Sequence, residues 1–132
     1  DTPGGLTVPV VRDVDQKSIF AISEELMDLS TRAQNKKLKP DEMKGGTFTI
    51  SSLGGIGGTG FSPIVNPPEV AIMGVSRSMW TQNFDKVSGK FILKFMMPFS
   101  LSYDHRVIDG AAAVAFTSRF AAVLTNLHHF KD

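Results

Sequence analysis

Large apolar residues recur at every second position over fourteen residues, from Lys90 to Tyr103, and the positions between them are polar except for Ile92, Met96 and Pro98. Every second position of this stretch carries a large apolar side chain, namely Phe91, Leu93, Phe95, Met97, Phe99, Leu101 and Tyr103. This period of two predicts one long strand. Apolar residues then recur at helical spacing from Val114 to Leu127, and Asp109 stands where the N-cap of that helix is expected. His105 therefore lies where a strand leads into a helix, a common position for a functional side chain on a rigid frame.

The first third of the chain predicts a strand, a helix and a short turn. Residues 6–11 alternate and contain a proline, which indicates a short strand at an edge or bulge. Asp13 and Asp15 precede an apolar stripe from Ile19 to Ala33, which predicts an amphipathic helix of about twenty residues. Pro40–Met43 predicts a single helical turn that ends at a pair of glycines.

Three further stretches complete the predicted order of elements. Thr47 to Ser52 alternates, which places Ser51 on a polar face near a strand end. Glu69 to Val75 is almost continuously apolar and predicts a strand buried on both faces. Residues 76–89 are polar and predict turns, with a Ser-Gly pair at the hairpin before the long strand. The order strand, helix, three strands, helix indicates one α+β domain.

Composition excludes several classes of function. The 132 residues suffice for one domain, and a formal net charge of +1 provides no surface field for binding nucleic acid. There is no cysteine, which excludes disulfides, thiolate zinc ligands and a cysteine nucleophile, and which fits a reducing compartment. The apolar runs are far shorter than the ~20 residues that span a bilayer, so no membrane partner is expected. No spaced set of histidines and carboxylates indicates a metal site.

The candidate chemistry centres on His105, because a neutral imidazole accepts a proton near pH 7 with little tuning. Asp109 either organises this site or simply caps the helix. Ser51 or Ser52 either offers a hydroxyl to an oxyanion or is merely a polar strand end. The glycine-rich loop that starts at Gly54 either admits a ligand close to the backbone or is an ordinary mobile loop. The residues alone thus support a mixed α/β domain with a candidate histidine base.

A family resemblance extends this interpretation. Residues 104–110, Asp-His-Arg-Val-Ile-Asp-Gly, contain the His-x-x-x-Asp-Gly motif of the chloramphenicol-acetyltransferase-like acyltransferases. The wider stretch 100–112 resembles the catalytic domain of dihydrolipoamide acyltransferases, the E2 cores of 2-oxo acid dehydrogenase complexes. The resemblance continues in collinear blocks at residues 1–6 with 8–13, 45–54, and 63–67 with 69–75. The Ser-Ser-Leu-Gly and Pro-Glu-Val-Ala-Ile segments are most similar to bacterial acetyltransferases of pyruvate dehydrogenase.

The resemblance implies a chloramphenicol-acetyltransferase-like mixed sheet with packed helices that assembles as a trimer. It implies transfer of an acetyl group between dihydrolipoamide and coenzyme A, with no metal. His105 would be the general base, Ser51 the donor to the tetrahedral oxyanion and Asp109 the organiser of the site. Ser52 and Gly54 would line the channel for coenzyme A or lipoamide. The histidine of one subunit would face the serine of its neighbour.

Two departures from the family keep alternatives open. The family's catalytic domain has a stretch before residue 1, so residues 1–132 are expected to be its C-terminal part, without lipoyl or peripheral-subunit-binding domains. The charged end of the chain weakens the expectation of a shell larger than the trimer. One alternative is a non-catalytic trimeric scaffold. The other is a detoxifying acetyltransferase, and the E2-like blocks argue against this second alternative. E1 and E3 components are the implied partners, in the cytoplasm for a bacterial protein or in the mitochondrial matrix for a eukaryotic one.

Overall fold

The computed structural model describes residues 2 and 4–130, which fall into two compact units, Asp1–Thr47 and Phe48–Asp132. The first unit contains helix α1 (Ile19–Gln34), and the second contains five strands and helix α2 (Gly110–Thr125). The strands are β1 (Thr49–Ser52), β2 (Ala71–Val75), β3 (Met79–Asp85), β4 (Lys90–Met96) and β5 (Phe99–Tyr103). None of the described helices combines the length and the apolar character needed to cross a bilayer.

Helix α1 begins at Ile19 because the Ser18 hydroxyl accepts a hydrogen bond from the backbone N–H of Ala21 at 3.2 Å. It has 16 residues, fewer than predicted, and the two aspartates before it belong to a separate turn around Val14–Gln16. The strand predicted at residues 6–11 is wrong. That segment pairs with no strand in the described part of the chain, and its Val10 N–H donates to a carbonyl in the confirmed turn at Pro40–Met43.

Strand β2 is the centre of a three-stranded sheet with the order β1-β2-β5. It runs parallel to β1 and antiparallel to β5, so the sheet is mixed, as the resemblance implied. Strand β2 has a neighbour on each side and is buried from Ala71 to Gly74. This confirms the buried strand that its continuous apolar sequence predicted. Across the sheet, Gly74 is aligned with Ser51 of β1 and with Ser100 of β5.

The two faces of this sheet meet different parts of the second unit. Phe99 of β5 packs edge-on against Phe120 of α2, with 5.0 Å between their ring centroids. Side chains alternate along a strand and aligned neighbours share a face, so Gly74 and Ser51 face away from α2. The ring of Phe61 lies on that second face, where a Cβ at position 74 would stand 2.8 Å from its Cζ. The helix therefore covers one face, and the segment after the glycine-rich loop covers the other.

Strands β3 and β4 form a separate antiparallel hairpin, of which the sequence predicted the turn and the second strand but not the first. Residues 79–85 were predicted as turns because they are polar, but each pairs with a residue of β4. Two aromatic pairs join the strands, Trp80 with Phe95 at 5.2 Å and Phe84 with Phe91 at 5.4 Å. The predicted hairpin turn is confirmed, since Gly89 has a φ of 67° and donates to the Asp85 carbonyl at 2.8 Å.

The single strand predicted from Lys90 to Tyr103 is also wrong, because it is two strands in two different sheets. The break falls at Met97 and Pro98, and proline has no N–H to contribute to a ladder. The Pro98 carbonyl instead accepts a hydrogen bond from the Ser76 N–H at 2.9 Å. The alternation runs on across the break because both strands share the period of two, so the pattern does not reveal the change of sheet.

Candidate active site

His105 lies in the turn between β5 and α2, and backbone hydrogen bonds hold this turn. The N–H of Asp104 donates to the Val70 carbonyl at 2.8 Å, which ties the turn to the segment before β2. The Asp104 carbonyl accepts from the N–H groups of Val107 and Ile108, each at 3.0 Å. The imidazole is exposed, with its ring centroid 5.6 Å from that of Tyr103. The predicted strand-to-helix position of His105 is confirmed.

Hydrogen bonds from Arg106 to the Asp104 carboxylate also hold this turn. Arg106 donates from Nε to Oδ1 at 2.9 Å and from Nη2 to Oδ2 at 2.6 Å, and its backbone N–H donates to Oδ1 at 3.0 Å. These hydrogen bonds to the charged carboxylate lower the pKa of Asp104 from 3.8 to about 2. From the sequence, both residues are interpreted only as local charge. The spacing of an aspartate two residues before its donor, which is that of an Asx-turn, was the available signal.

Asp109 is the N-cap of α2, as predicted. Its Oδ1 accepts a hydrogen bond from the Ala112 N–H at 2.8 Å, and its extended backbone marks the start of the helix. No hydrogen bond joins Asp109 to His105 in the described part of the chain. Its observed contact is therefore with the helix, and any organising effect on His105 acts through the backbone between them.

Ser51 and Ser52 end strand β1, where Ser51 is half-buried and Ser52 is exposed. Within residues 2 and 4–130, neither the Ser51 hydroxyl nor the His105 imidazole has a hydrogen-bond partner. Both groups are thus available to a ligand or to another chain. Ser51 shares its face of the sheet with the aligned Gly74, which the sequence analysis did not single out.

Gly54 begins the glycine-rich loop, although its own place does not require glycine. A Cβ there would stand 3.7 Å from the Ser52 Oγ, an ordinary contact distance. The positions with positive φ are Gly57 at 133° and Gly58 at 90°. The Leu53 carbonyl accepts the N–H groups of Ile56 and Gly57, so the first part of the loop is a closed turn. The backbone of this loop therefore requires glycine at positions 57 and 58, and not at position 54.

His105 and Ser51 lie at opposite ends of the three-stranded sheet. Ser51 is level with Ser100 across the sheet, and Tyr103 lies three residues farther along β5, about 10 Å away. His105 comes after Tyr103 and lies beside its ring, on the α2 side, whereas Ser51 faces away from α2. One chain therefore does not bring the two groups to one reacting atom, while His105 and Asp109 do share one turn.

The described residues contain no cluster of three or more histidine, cysteine, aspartate or glutamate side chains suited to hold a metal ion. The site is thus an exposed imidazole on a fixed turn, with serines and a glycine-rich loop at the far edge of the sheet.

This fold is that of the E2 catalytic cores. The chain superimposes with a TM-score of 0.94 on a crystal structure of dihydrolipoamide acetyltransferase (E2p) from Azotobacter vinelandii, at 53% identity, covering 98% of this chain. It superimposes equally well, with a TM-score of 0.94 and 52% identity, on the cubic core of a pyruvate dehydrogenase multienzyme complex. The α+β fold prediction is confirmed.

The family model for the catalytic domain of 2-oxoacid dehydrogenases acyltransferase matches residues 1–130, so the chain belongs to this family. A curated relative, the dihydrolipoyllysine-residue acetyltransferase component of the pyruvate dehydrogenase complex of Pseudomonas aeruginosa, is 57% identical over 128 residues. That alignment covers 96% of this chain and 23% of the relative. The chain thus spans about a quarter of this relative and 53% of the A. vinelandii core. The resemblance stated from the sequence is confirmed.

Proposed function

We propose that this chain is the acyl-transferring part of an E2 core, which moves an acetyl group between dihydrolipoamide and coenzyme A. Membership of the acyltransferase family supports the reaction class, and the similar bacterial proteins are named as acetyltransferases of pyruvate dehydrogenase complexes. These relatives also support a bacterial cytoplasmic location, with E1 and E3 components as partners. The non-catalytic scaffold is disfavoured because the turn that carries His105 is held by hydrogen bonds and its imidazole is exposed.

His105 acts as the general base in this proposal. Its imidazole takes the proton of the attacking thiol, and the thiolate adds to the thioester carbonyl. The tetrahedral intermediate then collapses, and the imidazolium returns the proton to the departing thiolate. Ser51 donates a hydrogen bond to the oxyanion of the intermediate, where one such donor contributes about 10²–10³ in rate. Asp109 holds the turn by capping α2, while Ser52 and Gly54 line the ligand channel.

A solved relative supports the residue types. The A. vinelandii enzyme was investigated for the catalytic roles of a serine, a histidine and an asparagine, the last two separated by four positions. His105 and Asp109 have the same separation, with a carboxylate where that enzyme has an amide. Both side chains are good N-caps, so the substitution preserves the start of α2.

The observation that carries the proposal is the separation of Ser51 and His105 within one chain. They lie at opposite ends and on opposite faces of the sheet, yet a base and an oxyanion donor must both lie about 3 Å from the reacting group. We therefore infer a site formed by His105 of one copy and Ser51 of the next. Head-to-tail contacts of this kind close into rings, and a homotrimer is the ring that we propose. A larger core is a further step, supported by the cubic core of the solved relative.

The decisive experiment mixes two inactive variants. His105→Ala and Ser51→Ala are each prepared, unfolded, combined in equal amounts and refolded, and transfer from acetyl-coenzyme A to dihydrolipoamide is measured. A site between copies restores about a quarter of the wild-type rate, because one interface in four joins an intact histidine to an intact serine. A site within one chain restores nothing. Each variant refolded alone is the control, and a His105→Ala protein that keeps more than about a tenth of the rate would remove His105 from the base role.

A further inference from the structure

The ring of Tyr103 lies against the imidazole of His105. Their ring centroids are 5.6 Å apart and the ring planes are tilted by 37°. Aromatic pairs attract each other at separations of this size. The imidazole forms no hydrogen bond within residues 2 and 4–130. In this part of the chain, the orientation of the imidazole therefore depends on packing, and Tyr103 provides an aromatic surface for it.

Tyr103 is itself held from two sides. Its backbone ends strand β5 and is aligned with the buried Ala71 of β2. Its side chain lies on the α2 side of the sheet, as does that of Phe99 four residues earlier. A Cβ at Gly110 would stand 4.0 Å from the Tyr103 hydroxyl oxygen, so the side chain reaches the first residue of α2. A half-buried ring thus supports the exposed imidazole of His105.

The turn fixes the backbone of His105 but leaves its side chain free to rotate. On the N-terminal side, the Asp104 N–H donates to the Val70 carbonyl, and the Asp104 carboxylate accepts the N–H of Arg106 beyond. The imidazole rotates about two side-chain bonds, the first with three staggered positions and the second with two broad ones. An unsupported ring would therefore be distributed over about three to six orientations. Because a general base must lie within hydrogen-bond reach of the proton that it takes, this freedom lowers the fraction that can react.

The two carboxylates of this turn do not orient the imidazole. Asp104 accepts hydrogen bonds from Arg106, and Asp109 accepts one from the Ala112 N–H. Neither carboxylate is hydrogen-bonded to His105 in the described part of the chain. A histidine base commonly depends on a third group that orients it. Within this turn, the side chain that contacts the imidazole is an aromatic ring and not a carboxylate.

We propose that Tyr103 is a positioning residue whose ring holds the His105 imidazole in the orientation that reaches the attacking thiol. The inference rests on the proposed function, because it requires His105 to be the base. It assigns neither a substrate contact nor a proton transfer to Tyr103. The ring performs the positioning, and the hydroxyl does not, since the hydroxyl lies towards Gly110 at the start of α2.

The kinetic test changes the ring in the assembled protein and measures transfer from acetyl-coenzyme A to dihydrolipoamide. Tyr103→Leu should lower kcat by about three- to sixfold, with less than about a twofold change in KM for either substrate. Tyr103→Phe keeps the ring and should restore kcat. Phe99→Leu is the matched control, because it removes an aromatic ring from the same strand and the same face, where that ring packs on Phe120. It should lower stability and leave kcat unchanged.

NMR tests the contact itself, because Tyr103 is the single tyrosine of the chain and there are only three histidines. In the protein labelled with 13C in both types of ring, the tyrosine should show a nuclear Overhauser effect to one histidine ring, and this signal should disappear in His105→Ala. Loss of the neighbouring ring current should shift the His105 signal in Tyr103→Leu but not in Phe99→Leu. Absence of the Overhauser effect in the wild-type protein overturns the proposal, and this measurement needs no folded Tyr103 variant.

Failure of this proposal differs from failure of the proposed function. An unchanged kcat in Tyr103→Leu, or an equal loss in Phe99→Leu, overturns the positioning role and leaves the acyltransferase intact. A loss in Tyr103→Phe as large as that in Tyr103→Leu also overturns it, because the hydroxyl would then be the group that matters. Absence of transfer in the wild-type protein overturns the acyltransferase and with it the positioning role, even where NMR detects the contact between Tyr103 and His105.

Discussion

Gly74 is the residue for which the structure most sharply predicts the effect of a replacement on stability. It lies in the centre of β2, where a methyl group would stand 2.8 Å from Phe61 Cζ and 2.8 Å from Ser100 Oγ. Contacts this short force the neighbours to move. The Ser100 hydroxyl is fixed by the hydrogen bond that it donates to the Phe61 carbonyl at 2.5 Å, and β2 is paired on both sides. Neither the backbone nor these two side chains can give way freely.

The expected loss of stability for Gly74→Ala is about 2 kcal/mol. Overpacking of a buried site costs about 1–3 kcal/mol, and a disturbed hydrogen bond between Ser100 and Phe61 adds about 1 kcal/mol. Alanine regains roughly 0.5–1 kcal/mol relative to glycine in an extended strand, because the unfolded chain has less freedom to lose. For 132 residues, an unfolding entropy of about 2 cal/mol/K per residue converts this loss into a fall in Tm of about 7 °C.

The assay is thermal and urea unfolding of Gly74→Ala beside Gly55→Ala. Gly55 has nothing within 4 Å of a Cβ position and no positive φ, so its replacement should change stability by less than about 0.5 kcal/mol. The same Gly74 change is then made in Phe61→Leu and in Ser100→Ala backgrounds, each of which removes one of the close atoms. The loss should shrink by roughly 1 kcal/mol in each. Equal losses at positions 74 and 55, or a loss that is the same in every background, would refute the steric reasoning.

Two further predictions concern the turn that carries His105. Asp109→Ala should lower the free energy of unfolding by about 1 kcal/mol, because the hydrogen bond that caps the Ala112 N–H is lost. Asp109→Asn should retain both stability and acetyl transfer, because asparagine is also a good N-cap. Equal unfolding midpoints for the two variants would contradict this prediction. The pKa of Asp104, at about 2, lies below its ordinary value of 3.8, so its ionised form stabilises the fold above pH ~4 and this contribution is lost as the pH falls towards 2. Arg106→Gln should therefore raise the carboxyl pKa measured by NMR and move the acid-unfolding midpoint to higher pH, and an unchanged pKa would remove Arg106 as its cause.

Much of the local structure was readable from the sequence because its signals are local. The apolar stripes of α1 and α2, the N-cap at Asp109 and the glycine at the hairpin turn each depend on neighbours within a few residues. The buried strand β2 was recognisable for the same reason, since a continuous apolar run needs cover on both faces. The change from a period of two to helical spacing placed His105 at a strand-to-helix turn, which the structure contains.

Strand β3 was missed because pairing is not a local property. Its sequence has three polar residues at its centre and no regular alternation of polar and apolar residues, and only the opposing strand β4 supplies the partners that make it a strand. The strand predicted at residues 6–11 shows the converse, because a suitable pattern without a partner strand remains irregular. The alternation through Pro98 concealed a passage from one sheet to another, since the period carries no information about the neighbouring strand.

The sequence by itself determined which residue types are available for the chemistry, the positions of the main helices and the family to which the chain belongs. The tertiary structure alone decided that Ser51 and His105 of one chain lie at opposite ends of the sheet, and that residues 90–103 divide between two sheets. The physical reason is strand register. Hydrogen-bonded pairing sets which residues of distant segments stand level with each other, and a period of two is compatible with many such alignments.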